Sequence, residues 1–382
     1  MAIEQQIETL FALLLVLSYE LLEGNGPAAL AHLEGALCVL SASTTALSAK
    51  DRDVLTLEAI RTLYVRLEIH TLSFVGSRVP ILSASGFKLV HEGAGCNSST
   101  TSSLESQAFE PVRTKFFGLK FRVLQVLRNL EDEDRASYMC VRSLQAKQQH
   151  SRVVVLADLQ HWLQLFQPFL DTAMHLARAA NPSLSQTSRE CRLLHMQYLI
   201  LVMRISAFRP EPQEIAFDSF ENSFDSILKH AEILVGGDQS HLFTLETGLI
   251  EPLYFTVLKC REPKKRVLAL ELLSSCRQEA AWDGPLMTAV ARYVVDIEAA
   301  LIGIARPGKS LRLAGASILD ITNAVWEFRT DPEAESYRIS STALLSIDWV
   351  RRTALVEVCH ARGKNQAICP AFVEAHTNSI LV

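Results

Sequence analysis

At 382 residues the chain is long enough to bury a sizeable core. With 49% hydrophobic and 21% charged residues, it has the composition of an ordinary globular protein. Its 37 basic and 42 acidic residues leave a net −5, which argues against broad electrostatic capture of nucleic acid, because that takes a basic face to neutralise phosphates.

The apolar run Phe11–Tyr19 has the length of a signal-peptide core. Glu4 and Glu8 precede it and no Lys or Arg does, so the positive leader of such a signal is missing. Nine residues also fall short of the roughly 20 that span a bilayer. We expect a buried helix, and a chain that starts directly in one fits a piece cut from something longer. Gly24, Asn25 and Gly26 break this helix, and Pro27 opens a second with Leu30, Leu33, Leu37 and Leu40 on one face. A third starts near Asp51 with the stripe Leu57, Ile60, Tyr64, Leu67 and Phe74, and Gly76 ends it. Ser83–Ser106 is rich in Ser, Gly and Thr and lacks periodicity, so it reads as a flexible loop.

Helices resume near Gln107. The clearest is Arg152–Ala179, where Val155, Leu159, Trp162, Phe166 and Phe169 form a seam with steps of four and three. Pro168 lies inside it, so a kink or break is expected there. Further helices are expected over Ser188–Phe208 and Ala216–Leu234. Pro252, Pro263 and Pro285 then each sit where a helix would begin. The last of these helices carries Val290, Val294, Ile297 and Leu301 on one stripe. After Pro307 the pattern changes, and Tyr337–Ala361 alternates, with Leu345, Ile347 and Trp349, then Ala354, Val356 and Val358. That suggests a β-hairpin turning near Arg351 and Arg352, which must lie on the helical body because an isolated hairpin is marginal. The expected fold is mainly all-α: stacked antiparallel helical hairpins with a small C-terminal β-hairpin. The chain divides by pattern into a helical body, 1–306, and a C-terminal extension, 307–382, that holds the hairpin at 337–361.

The segments "GLIEPLYF" (Gly248–Phe255), "KCREP" (Lys259–Pro263), the helix Arg266–Leu273, "EAAWDG" (Glu279–Gly284) and "DIE" (Asp296–Glu298) follow one another at short range. Their order and wording resemble the C-terminal regulatory domain of fungal zinc-cluster transcription factors. Weaker likeness extends to Ala29–Leu40 and Ser223–Val235. One feature departs from the family. Its DNA reader is a six-cysteine cluster holding two zinc ions, which needs closely spaced thiolates. Here Cys38, Cys96, Cys140, Cys191, Cys260, Cys276, Cys359 and Cys369 are scattered, with no C-x-x-C. The resemblance therefore implies a nuclear transcription regulator without its own DNA-binding module. It would act through a small-molecule effector, or through proteins of the transcription machinery or a DNA-binding partner, with a homodimer open. It implies no direct nucleic-acid contact, no membrane and no enzymatic activity. Zinc enters only if a cysteine cluster lies upstream. The alternative from the residues is a helical protein–protein scaffold without a transcriptional role.

Several fragments imitate catalytic motifs. Gly303–Ser310, "GIARPGKS", satisfies the phosphate-loop spelling, with Lys309 for the phosphates and Ser310 for magnesium. Such a loop must follow a strand, whereas the stripe before it is helical, and Asp320 lies only ten residues on. A nucleotide-binding enzyme is thus the weakest alternative. Glu131–Asp134 and Glu221–Glu232 lack the carboxylate spacing of a terpene cyclase, His230 standing where Glu is wanted. Lys259–Arg266 is the densest basic run. We expect Lys264, Lys265 and Arg266 in an exposed first turn and Arg261 on the carbonyls of the preceding helix. Cys359 and His360, adjacent in a strand, face opposite sides. Gly315-Ala316-Ser317 lacks the closing glycine of a nucleophile elbow. Ser85–Lys88 and Ser226–Lys229 lack the companions of an S-x-x-K hydrolase. The expected site list is empty for catalysis, cofactor, metal and DNA.

Overall fold

The structure, a computed structural model, describes residues 3–23, 25–42, 51–74, 81, 104–136, 141–176, 185–208, 214–236, 243–244, 248–280, 282–305, 317–327, 338–348, 353–360, 367–374 and 380–381. These residues make a mainly all-α protein, as the spacing predicts. The expected loop over Ser83–Ser106 lies outside them, apart from residue numbers 104–106, which already belong to a helix. By its contacts the chain forms two compact units: 1–133 with 137–169, and 134–136 with 170–382.

In the first unit α1 (Ile3–Leu22), α2 (Gly26–Ala42) and α3 (Asp51–Phe74) pack on one another. The apolar run 11–19 is the middle of α1, a helix long and apolar enough by composition to cross a membrane. The expected burial holds for one stripe only: Leu10, Leu17 and Leu21 are buried, whereas Phe11, Leu15, Val16 and Tyr19 of the run are exposed; the buried Tyr64 hydroxyl donates to the Leu10 carbonyl at 2.7 Å. The second pair is α4 (Leu104–Ala136) and the long α5 (Val141–Leu176). The expected seam is real: Val155, Leu159, Trp162 and Phe166 are buried. Trp162 stacks on Phe166 with ring centroids 4.5 Å apart, lies 4.6 Å from Phe116, and donates its indole N–H to the Val112 carbonyl at 2.8 Å. Pro168 does not end the helix. It and Gln164, whose carbonyl loses its partner, both face solvent, so the freed acceptor is not stranded in the core.

The second unit opens with α6 (Gln186–Ala207), capped by the Ser185 hydroxyl, which accepts from the Ser188 N–H at 3.2 Å. A 3-10 turn (Glu214–Phe220) leads into α7 (Glu221–Val235). Then follow α8 (Ile250–Lys259), α9 (Pro263–Ser274), α10 (Gly284–Ala305) and α11 (Ile318–Glu327), each packed on the one before it. Two of the three helices begin earlier than expected: Pro263 opens α9, but α8 starts two residues before Pro252 and α10 one residue before Pro285. All three prolines lie in a first turn, where a missing N–H costs no hydrogen bond. Between the helices, β1 (Phe243–Thr244), β2 (Gln278–Glu279) and β3 (Trp282–Asp283) form a short sheet.

The expected hairpin is present as β4 (Ile339–Asp348) and β5 (Thr353–His360), paired antiparallel. It is the beginning of a larger sheet, extended by β6 (Ala367–Glu374) and β7 (Ile380–Leu381) in the order β4-β5-β6-β7. Ala354 and Val356 on β5 are buried, and both β5 and β6 touch α10. The residues on either side of 306 therefore belong to the same unit.

A candidate site at a buried arginine cluster

Gly248–Phe255, Lys259–Pro263, Arg266–Leu273, Glu279–Gly284 and Asp296–Glu298 all lie in the second unit, where several of their residues have a local task. Glu262 caps α9, its carboxylate accepting from the N–H groups of Lys264 (3.2 Å) and Lys265 (2.8 Å), with Pro263 first in the helix. Glu279, across the turn that follows α9, caps α8 instead. Its two oxygens accept from Gly248, Leu249 and Ile250 N–H at 2.9, 2.8 and 3.0 Å. Burial pulls the Glu279 carboxyl up more strongly than these three donors pull it down. A Cβ on Gly248 would stand 2.4 Å from the Glu279 carboxylate, so glycine is what allows the close approach. A Cβ on Gly284 would likewise stand 2.3 Å from the Cys276 carbonyl oxygen. Asp283 caps α10 by accepting from the Leu286 N–H at 2.8 Å.

The basic run is not an exposed patch. Lys259 pairs with Glu214 at 2.8 Å, and Arg261 pairs with Asp218. Lys265 reaches Glu221 (3.0 Å) and Asp225 (2.9 Å). Arg266, expected in solvent, is fully buried. Its Nε donates to the Val257 carbonyl at 2.7 Å and its Nη2 to Glu298 Oε2 at 2.6 Å. The other Glu298 oxygen accepts from the Ile339 N–H at 3.1 Å, tying α10 to the start of β4. "KCREP…R" and "DIE" are thus two halves of one buried ion pair.

Next to Ile339 stands Arg338, 2% exposed. None of its three guanidinium nitrogens has a hydrogen-bond partner among the described residues, and neither does Arg266 Nη1. Burial works to raise the Glu298 carboxyl, but the charges of Arg266 and Arg338 and the Ile339 N–H outweigh it and hold it below the usual carboxylate range. Glu298 is therefore ionised at neutral pH, and the cluster of two arginines and one carboxylate carries an excess positive charge in the interior.

A second polar cluster lies on α6 and α7. Arg192 is fully buried, donating to the Ala173 carbonyl at 2.8 Å and lying 3.2 Å from His230 Nδ1. Because the guanidinium only donates, Nδ1 of His230 accepts; Nε2 then carries the hydrogen and donates to His195 Nδ1 at 2.8 Å. Burial lowers His195 to about 4. It also lowers His230 to about 3, with the charges of His195 and Arg192 adding to the effect. Both imidazoles are neutral near pH 7.

The motif fragments fall apart in the same way. Residue 303 lies inside α10, so the element before the phosphate-loop spelling is a helix; Lys309 and Ser310 lie outside the described residues. Asp320 is a capping residue of α11, exchanging hydrogen bonds with Ser317, whose hydroxyl donates to it at 2.6 Å. Ser226 and Lys229 are on α7, and Glu131–Asp134 are in the last turns of α4. Ser85, Lys88, Gly315 and Ala316 are outside the described residues. Among the described residues, no three His, Cys, Asp or Glu side chains are placed to hold a metal ion. Cys191, Cys260 and Cys276 are buried free thiols, and burial pushes the first two up to about 12 and about 11. Comparison with family models, with curated proteins and with solved structures yields no match to this chain.

Proposed function

We propose that this chain is a transcription regulator of the fungal zinc-cluster type that lacks its own zinc cluster and acts by binding an effector or a partner protein, without catalysis. The observation that supports this reading is the convergence of the resembling segments. Glu262, Arg266, Glu279, Asp283 and Glu298 come from four separate stretches of sequence, yet each supports a corner of one helical body. A likeness carried by such residues is a likeness of architecture, and so supports kinship more than scattered apolar matches would. The test is to tether the full chain to a heterologous DNA-binding domain and measure a reporter, with the location of the untethered chain followed alongside. A change in reporter output together with nuclear accumulation is expected. A silent fusion on a folded, expressed chain would favour the scaffold reading instead.

A further inference from the structure

We propose that Arg338 forms a binding site for a small oxyanion, either a carboxylate or a phosphate group. The argument begins from solvation. A charged group removed from water needs an opposite charge and hydrogen bonds to replace what it lost. Arg338 is 2% exposed, and its Nε, Nη1 and Nη2 have no acceptor among the described residues. Glu298 does not fill that need: its oxygens accept from Arg266 at 2.6 Å and from the Ile339 N–H at 3.1 Å, and no nitrogen of Arg338 donates to either. Arg266 adds a further unmatched donor, Nη1. Buried polar groups left unmatched in a folded protein are rare, and a bound water or ion usually accounts for them. Water could accept these hydrogen bonds but would leave the excess charge. An anion answers both, and the planar guanidinium fork suits the two-oxygen edge of a carboxylate or phosphate. Glu298 then has a second role: by holding Arg266 it limits the excess to one charge, which fits a small anion and not a polyanion.

As an anion site this stands on the arginines alone; as the effector site it rests on the regulatory function proposed above. Thermal unfolding of the full chain would be followed in sodium phosphate, sodium sulfate and disodium succinate, with sodium chloride holding ionic strength constant. Phosphate or succinate is expected to raise Tm by several degrees and to saturate in the low millimolar range or below. A response to phosphate alone assigns a phosphate group, and a response to succinate alone a carboxylate. Arg338→Met is expected to abolish the shift. If that variant does not melt cooperatively, Arg338→Lys replaces it: the charge stays, the fork is lost, and half-saturation should move at least ten-fold higher. The proposal is overturned if neither anion raises Tm, if the shift keeps growing to 100 mM without saturating, or if the variant read responds like the parent. A silent reporter fusion with intact anion binding would remove the transcriptional reading and leave the site; a working fusion without anion binding would do the reverse.

Discussion

Arg266 and Glu298 show how much one buried pair can carry. Both side chains are fully buried at 2.6 Å, so removing either partner strands the other in the interior. Glu298→Gln leaves two guanidiniums facing a neutral amide, and we expect a loss of about 3–5 kcal/mol in urea-induced unfolding. Adding Arg338→Met to that variant should recover part of the loss, because one stranded charge is then gone; no recovery would mean that Arg338 is compensated by something else. The histidines give a different signature. His195 and His230 stay neutral in the folded chain down to about 4 and about 3, whereas an unfolded chain protonates its histidines near 6.5. Below 6.5 the unfolded state therefore binds more protons, and stability falls as pH drops, through about 4 for His195 and about 3 for His230. A melting series from pH 7.5 to 4.5 should show this decline. His230→Gln, which can still accept from Arg192 and donate to His195, should make it shallower. An unchanged slope would show that the decline belongs to other groups.

At the level of helices and turns, the joint between α8 and the α9–α10 turn depends on Glu279 and Gly248. Glu279→Ala would leave the first N–H groups of α8 without their acceptor, at a cost of roughly 1–3 kcal/mol. Gly248→Ala should cost a similar amount by a different route, because its Cβ collides with the same carboxylate. The two losses should therefore not add, and a double-mutant cycle measured by denaturation would detect the coupling. Full additivity would dissociate the two residues. Much of this level could be read from the sequence. Apolar steps of three and four gave α2, α3, α5 and α10, and the prolines marked the first turns of α8, α9 and α10, because both signals act within one or two helical turns. The ion pair was harder to see, since its partners are 32 residues apart. A trace was still there: Arg266 shares a face with Ala269, Leu270 and Leu273, and Glu298 with Ala291 and Val294, so each is a charge within an apolar stripe. Arg338 left no such trace, because a single arginine ahead of an alternating segment looks like any strand edge. At Pro168 the helix runs on without a break: whether proline breaks a helix depends on which way the freed carbonyl faces, and that is decided by packing.

On the scale of the whole molecule, the boundary between the two compact units falls inside α5, between residues 169 and 170. Cutting there is not equivalent to cutting after the helix. The last turns of α5 belong to the second unit through specific bonds: the Ala173 carbonyl accepts from Arg192 Nη2 at 2.8 Å and from the Ser188 hydroxyl at 3.4 Å, and Met174 Sδ lies 3.3 Å from Arg192 Nη1. Arg192 is fully buried, so these acceptors are what its guanidinium has in exchange for water. A fragment from Leu170 to Val382 keeps them, and we expect it to melt in a single cooperative transition by circular dichroism. A fragment beginning at Ser185 loses them and leaves His230 as the partner of a buried cation. It should be less stable by about 2–3 kcal/mol, the cost of an orphaned buried charged donor, or fail to fold. Arg192→Met should then hurt the longer fragment and help the shorter one, since only in the shorter one is the charge unmatched. If both fragments melt alike, the end of α5 is dispensable to the second unit, and Arg192 is satisfied from within α6 and α7.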